Sequence, residues 1–458
     1  MKTVVIGAGI MGLAAGIDLQ QRGHRVQIFE SGPEPGGLAG SFDFGGVRAE
    51  KFYHFVCGAD EVYFRWLKRL GLFERLRWRE TQMGLVWNGS LRRFGDPMSL
   101  LGLRALSPWN RLRYGFHMWS AQRLQHWKPL ESEPAVDWLV RHEGEQAYRV
   151  IWEPLLTHKF GSLTPTLSAA WIWSRIRRLA SSRDFAYREK LGYLDGGTDI
   201  FVRGLVDAFQ RGGGDLVLNT PVEGLVMDER GQSVAAVRAG GADVLVDGAL
   251  STAPLPILRR FASNLPRPYL EQTKRLPNLG VRCLLLKLRE PLTHYFWINV
   301  NDPGLPICGL IEYTNLHPVS SYGCTLVYSP HYVHSDDPEY SLPDEEVMKQ
   351  TVHSIQAFDA QFDEASILDY RVFRAPYAQP FCPVGFTGEL APLETGAQNF
   401  VAADTTHLLP HDRSISDTLA LSERLTAAYL GLLDAGPDRA SPEGQTRSAL
   451  RDAGLSEA

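Results

Sequence analysis

The residues best suited to chemistry form one short segment near the start of the chain. Gly7-Ala8-Gly9-Ile10-Met11-Gly12 follows a β-branched run, Lys2 to Ile6, and precedes Leu13 to Gln21, whose apolar residues recur at helical spacing until Gly23 ends them. A strand, a glycine turn and a helix in that order make a seat for the diphosphate of a dinucleotide, and each glycine has its own task. Gly7 permits the tight turn, Gly9 lets backbone N–H groups approach phosphate, and Gly12 lets the helix lie close on the strand. The unpaired N–H groups at the helix start, around Ile10 and Met11, together with the positive end of the helix dipole, favour the anion.

A second strand, Arg25 to Phe29, ends in Glu30 and Ser31. An acid at that place accepts hydrogen bonds from a ribose diol, whereas an Arg would have pointed to a ribose carrying a 2′-phosphate. The next loop holds a second glycine pair, Gly36-Gly37, followed by Leu38 and Ala39. More backbone can therefore approach a longer ligand, which favours FAD over NAD. No second strand, glycine turn and helix follows, because Gly212-Gly213-Gly214 ends a helix rather than opening one, so no dedicated nicotinamide site is expected.

This pattern resembles the superfamily of flavin-dependent amine oxidases, protoporphyrinogen oxidase, phytoene desaturases and UDP-galactopyranose mutase, in which a glycine pair follows the ribose acid and contacts FAD. Many members carry an Arg after that pair. Leu38 stands there instead, so the contact made by that Arg is not carried over. The resemblance implies an α/β fold: a Rossmann-like FAD-binding domain of the glutathione-reductase type, assembled from 1–59, 192–254 and 395–433 and interleaved with an α+β substrate domain, 60–191 and 255–394. The substrate domain is expected to hold a mixed sheet and a helical cap. Its first part reads as helical and rich in Trp and Arg, and its second part alternates in strand fashion. The polar segment 434–458 reads as a disordered tail. The resemblance also implies that backbone near Val222 meets the adenine, that Asp404 touches the ribityl chain, and that the helix start at Ile415 and Ser416 points at the flavin. Many members have Gly-Asp where this chain has Ala403-Asp404.

Several phrases are similar to a bacterial, protoporphyrinogen-oxidase-like branch: Glu153-Pro154-Leu155-Leu156 through Lys159-Phe160-Gly161, Ile311 to Asn315, Arg374 to Pro380, and Leu409-Pro410-His411-Asp412-Arg413. Candidates for chemistry on substrate are His54, as base or hydrogen-bond partner, Arg374, whose guanidinium could clamp a phosphate or carboxylate, and Tyr377. Each also has a plain packing role open to it. His407 and His411 are four apart, but Pro410 between them opposes a helix, and no metal site is expected.

The elements that must position these groups fit a chain of 458 residues, longer than one core usually organises. A net charge of −5 gives no sign of a nucleic-acid partner. Five cysteines without a CxxC pair, and no leader before the first strand, suggest the cytoplasm. Between Pro97 and Leu130 lie four arginines and Lys128 with no acid, interleaved with Trp109, Trp119 and Trp127. That mixture suits an interfacial helix at an anionic membrane, a cap helix whose tryptophans enter the core, or a basic channel for a phosphorylated substrate. The expected activity is FAD-dependent oxidation of a small, lipid-linked or glycan-related substrate, with oxygen, a quinone or free NAD(P) as acceptor. A redox-neutral mutase resembling the UDP-galactopyranose enzyme, or a binding protein of the same fold without catalysis, are the alternatives.

Overall fold

Strand Lys2–Ile6 buries every side chain after Lys2, as a strand covered on both faces must. The computed structural model describes residues 1–184 and 188–435, and it sets this strand at the centre of a five-stranded parallel sheet. The order across the sheet is Phe400–Ala402, Gly248–Ser251, Lys2–Ile6, Arg25–Phe29 and Asp215–Val217. Three distant parts of the chain therefore contribute to one sheet. Successive side chains point to opposite faces. Val5 and Ile28 join helices Ile10–Gln20, Gly197–Arg211 and Ile415–Ala435, while Val4, Ile6 and Phe29 pack on a three-stranded antiparallel sheet and helix Leu255–Phe261.

A second, seven-stranded sheet runs in the order Ile367–Pro380, Asn278–Leu288, Thr325–Val333, Gly309–Glu312, Trp297–Val300, Met83–Trp87 and Ser90–Phe94. It is antiparallel except where Trp297–Val300 meets Met83–Trp87. One face, with Val281, Cys283 and Ile311, packs against Phe52, Tyr53 and Phe55. The other carries Leu284, Leu286 and Val327 toward helix Asp344–Gln356. Helices Pro108–Ala121, Ala135–Glu143, Glu153–Phe160 and Ala169–Ala180 share a separate core around Trp138 and Trp171 and form a cap.

The helical expectation for the first part of the substrate region is corrected between 76 and 94, where three strands stand: Leu76–Thr81, Met83–Trp87 and Ser90–Phe94. Asn88-Gly89 makes the tight hairpin between the last two, with both residues at positive φ (51° and 66°). This is the backbone a two-residue hairpin requires and the reason Asn-Gly favours it. Strand Leu76–Thr81 pairs with Glu189–Leu194, which crosses the boundary expected at 191/192. Of the tail expected from 434, the first two residues belong to helix Ile415–Ala435 and 436–458 lie outside the described residues.

Gly12 shows how the first helix is set down on the turn. A Cβ placed there would lie 2.0 Å from the carbonyl oxygen of Gly7 and 3.1 Å from Thr252 Oγ1. Both helix and turn are backbone, so neither yields cheaply. Gly12→Ala is expected to destabilise the protein by about 1–3 kcal/mol, the usual cost of overpacking. The reading is a lower urea midpoint with unchanged slope; an unchanged midpoint would mean that the helix can back away freely.

Candidate functional site

One cavity of about 1140 Å³ runs from the glycine turn to the cap. At the turn, Gly9 is the N-cap of helix Ile10–Gln20, and no side chain caps that helix. A Cβ on Gly9 would meet nothing within 4 Å, so the exposed edge of the turn is open to the cavity. Gly36 donates its N–H to Ala8 O at 2.8 Å and bridges Gly9, which brings the second glycine pair beside the first. Gly36 and Gly37 have φ of 111° and 57°, conformations only glycine holds without strain. Glu30 accepts from the N–H of Ala8 (2.9 Å) and Gly32 (2.7 Å) and from Ser31 Oγ (3.2 Å), so its carboxylate ties the two loops together at the cavity wall.

Gly7, Gly9, Ile10, Met11, Glu30, Ser31, Gly36, Gly37, Leu38, Ala39, Val222, Asp404 and Ile415 all line the cavity. Two expected positions do not. Gly12 lies beneath the turn, where its task is packing. Ser416 turns its hydroxyl to the N–H of Tyr63 at 3.3 Å. Asp404 is buried and accepts from Leu255 N–H (2.9 Å) and Thr406 N–H (2.9 Å). Burial works against its charge, yet His407 beside it and these hydrogen bonds hold its carboxyl below the ordinary value.

His54 also lines the cavity. Its Nδ1 lies 2.8 Å from Glu50 Oε2, which leaves Nε2 as the ring nitrogen for a ligand. Glu50 is buried and accepts as well from Thr198 N–H (2.8 Å) and Tyr313 OH (3.1 Å). Burial would raise its pKa, but His54 and Thr198 hold it below the ordinary carboxylate value. Arg374 lines the cavity as well, with Nε donating to Tyr340 O at 2.9 Å, Nη1 to Asp344 at 2.8 Å and Nη2 to Leu342 O, so the segment 340–344 holds its guanidinium in place. Tyr377 lines the cavity, and Arg260 approaches its hydroxyl at 3.5 Å.

Reading single residues along the chain missed a group on the cap side. Lys159, Arg175, Asp412 and Arg413 line the same cavity, although they stand more than 200 positions apart at the extremes. The sole signal was that Lys159, Asp412 and Arg413 sit in phrases shared with the bacterial branch. Among the described residues, no group of three or more His, Cys, Asp or Glu is placed to hold a metal ion.

A parallel sheet with an uncapped, glycine-lined helix start at its centre, opening on a large second lobe, defines a dinucleotide-binding α/β fold. The chain belongs to the flavin containing amine oxidoreductase family, whose profile it matches over residues 10–407, and FAD is its cofactor. It is 32% identical over 119 residues to a zeta-carotene desaturase of Zea mays (25% of this chain, 21% of that protein). With the Arabidopsis thaliana zeta-carotene desaturase the identity is 25% over 238 residues (46% and 42%). These matches thus span less than half the length of either curated relative. Among solved structures, an oxidoreductase from Methanosarcina mazei superposes with a TM-score of 0.72 at 16% identity, covering 93% of this chain and 100% of that one. Reduced UDP-galactopyranose mutase superposes with a TM-score of 0.72 at 15% identity, covering 94% and 96%. At these identities the likeness is one of fold.

The open edge at Gly9 and the cluster of uncapped N–H groups fit the FAD diphosphate, and Glu30 is the carboxylate beside it. Glu30→Gln is expected to weaken FAD binding to the apoprotein about tenfold, or ~1.4 kcal/mol, in a fluorescence titration. An unchanged affinity would limit Glu30 to tying Ala8 and Gly32 together.

Proposed function

We propose that this protein oxidises a substrate with a large apolar body, lipid-linked or glycan-related, held in the chamber beneath the cap. When bound, the cofactor supplies a two-electron acceptor for hydride from the substrate. The observation that carries the reading is the continuity of the chamber. Its walls pass without a break from the glycine turn through Tyr53, Phe55, Ile311 and Leu85 to Tyr114 and Met118 of the cap. Such walls exclude water and seat an apolar body, while His54, fixed by Glu50, offers one nitrogen to hold or accept a proton.

A specific observation supports peripheral membrane contact. Helix Pro108–Ala121 has two apolar faces: Tyr114 and Met118 face the chamber, while Trp109, Leu112 and Phe116, at helical spacing, are each about two thirds exposed (65%, 64% and 65%). Trp119 lines the chamber and is also exposed, with Arg123 3.8 Å above its ring. Met98 and Leu101 extend the exposed apolar set onto the preceding helix. Exposed aromatics beside exposed arginines suit a bilayer of anionic lipid, and a cytoplasmic protein docked on that surface would draw its substrate from it. Among the described residues, no helix is long and apolar enough to cross a membrane.

Two measurements test the reading. Anaerobic flavin bleaching by a panel of prenyl, nucleotide-sugar and amine compounds should respond first to the long apolar members. Turnover that requires dithionite without net flavin oxidation would point instead to a redox-neutral mutase. The holoprotein should also float with vesicles containing a quarter phosphatidylglycerol, and the double substitution Trp109→Ser, Phe116→Ser should cut the floated fraction at least fivefold. Equal flotation of the two proteins would remove this helix as the docking surface.

A further inference from the structure

Three cations converge on one carboxylate at the cap side of the chamber. Lys159, from helix Glu153–Phe160, is buried, and its Nζ lies 3.6 Å from Asp412 Oδ2, 4.7 Å from the ring centre of Tyr332 and 4.8 Å from that of Trp171. Arg175, from helix Ala169–Ala180, binds the same Asp412 oxygen. Arg413, the next residue, donates to Tyr332 OH at 3.0 Å and to Ala378 O. All four charged groups line the cavity. The other groups facing them do not offset the charge. Burial pushes the Cys308 thiol up to about 11 and raises Cys283, Tyr53 and Tyr332, so these stay neutral. Nearby Arg178 has its own partner, Asp60, bound through both oxygens, with Asp417 at 3.9 Å.

This part of the chamber wall therefore gathers three cationic side chains around one carboxylate. Like charges drawn together at a largely apolar wall repel one another, and folding alone gives no reason to gather them. Attraction to the three cations overrides burial and drives the Asp412 carboxyl far below its ordinary value. Burial, together with Arg175 and Arg413 and against Asp412, pushes Lys159 down to about 7. With Lys159 protonated on binding, two unmatched positive charges are balanced by one phosphate monoester, which carries about −1.5 to −2 near neutral pH, and only half balanced by a carboxylate. Arginine guanidinium matches phosphate geometry, and the lysine adds a point charge.

We propose that Lys159, Arg175 and Arg413 form a phosphate subsite, and that the substrate is an amphiphile whose phosphorylated head binds there while its apolar body fills the chamber. This rests on the oxidoreductase reading above and adds the chemical class of the substrate.

The test is calorimetric titration of the FAD-loaded holoprotein with octyl phosphate and, separately, inorganic phosphate. Octyl phosphate should bind one to one and at least tenfold more tightly than inorganic phosphate; the reverse order would assign the subsite to free phosphate and overturn the amphiphile. Lys159→Met should weaken octyl phosphate at least tenfold with flavin content unchanged, and Lys159→Arg should restore most of the affinity. An incoming dianion raises the Lys159 pKa, so wild-type binding at pH 8 should take up protons, read from buffers of different ionisation enthalpy. Neither variant should do so. Equal affinity in the wild type and Lys159→Met, or no binding of octyl phosphate to the wild type, overturns the subsite. If bleaching by an uncharged apolar compound survives that result, the oxidoreductase reading stands and only the subsite falls.

Discussion

An α-helix that begins without a side-chain cap leaves its first N–H groups unpaired, and they need either water or an anion. In this protein the helix is Ile10–Gln20, which starts at Gly9 on the central strand of a parallel sheet. The requirement propagates outward. Gly12 must lack a Cβ for the helix to sit on Gly7, Gly36 must approach Gly9, and Glu30 must tie the two loops together. Strands from three distant parts of the chain complete the sheet around that point. The cofactor seat is thus a consequence of how backbone dipoles are satisfied, more than of any reactive side chain.

The second lobe joins the first through a small polar node inside apolar surroundings. Glu50 accepts from Thr198 at the start of a helix of the parallel-sheet lobe and from Tyr313 of the mixed-sheet lobe, while Tyr328 OH donates to its carbonyl at 2.8 Å. His54 hangs from the same carboxylate. A buried carboxylate with its acceptor sites satisfied from both lobes fixes their relative position, and it holds the imidazole in place at the chamber wall. Beyond that node most of the wall is apolar, Arg178 is paired with Asp60, and Lys159, Arg175 and Arg413 gather around Asp412 on the cap side. A largely apolar chamber with a cationic cluster on the cap side has the polarity pattern of a phosphorylated amphiphile.

Much of this was legible in order along the chain. The glycine turn, the acid at Glu30, the second glycine pair and the strand alternation at 281–288 and 325–328, within longer strands Asn278–Leu288 and Thr325–Val333, all show in local spacing, because strand and helix periods are written every two or four residues. The resemblance to flavin-dependent oxidases rested on the same residues, and the family match agrees with it. The hairpin at Asn88-Gly89 is equally local, but the Trp and Arg residues around it also fit a helical period, and pairing with Trp297–Val300 decides for strand.

What the sequence by itself determined was the cofactor, the family and the parallel sheet, because each depends on contacts between near neighbours or on a motif whose geometry is intrinsic to the backbone. Tertiary structure alone decided the direction of side chains whose period is ambiguous. Arg374 is held by the segment 340–344 at the chamber wall, Trp109 turned outward, and Trp119 reaches both the chamber and the surface. It alone also brought Lys159 and Arg175 from two cap helices to Asp412 beyond the closing strand. Charge placement in a cavity is a sum over residues far apart in the chain, and no local pattern records that sum.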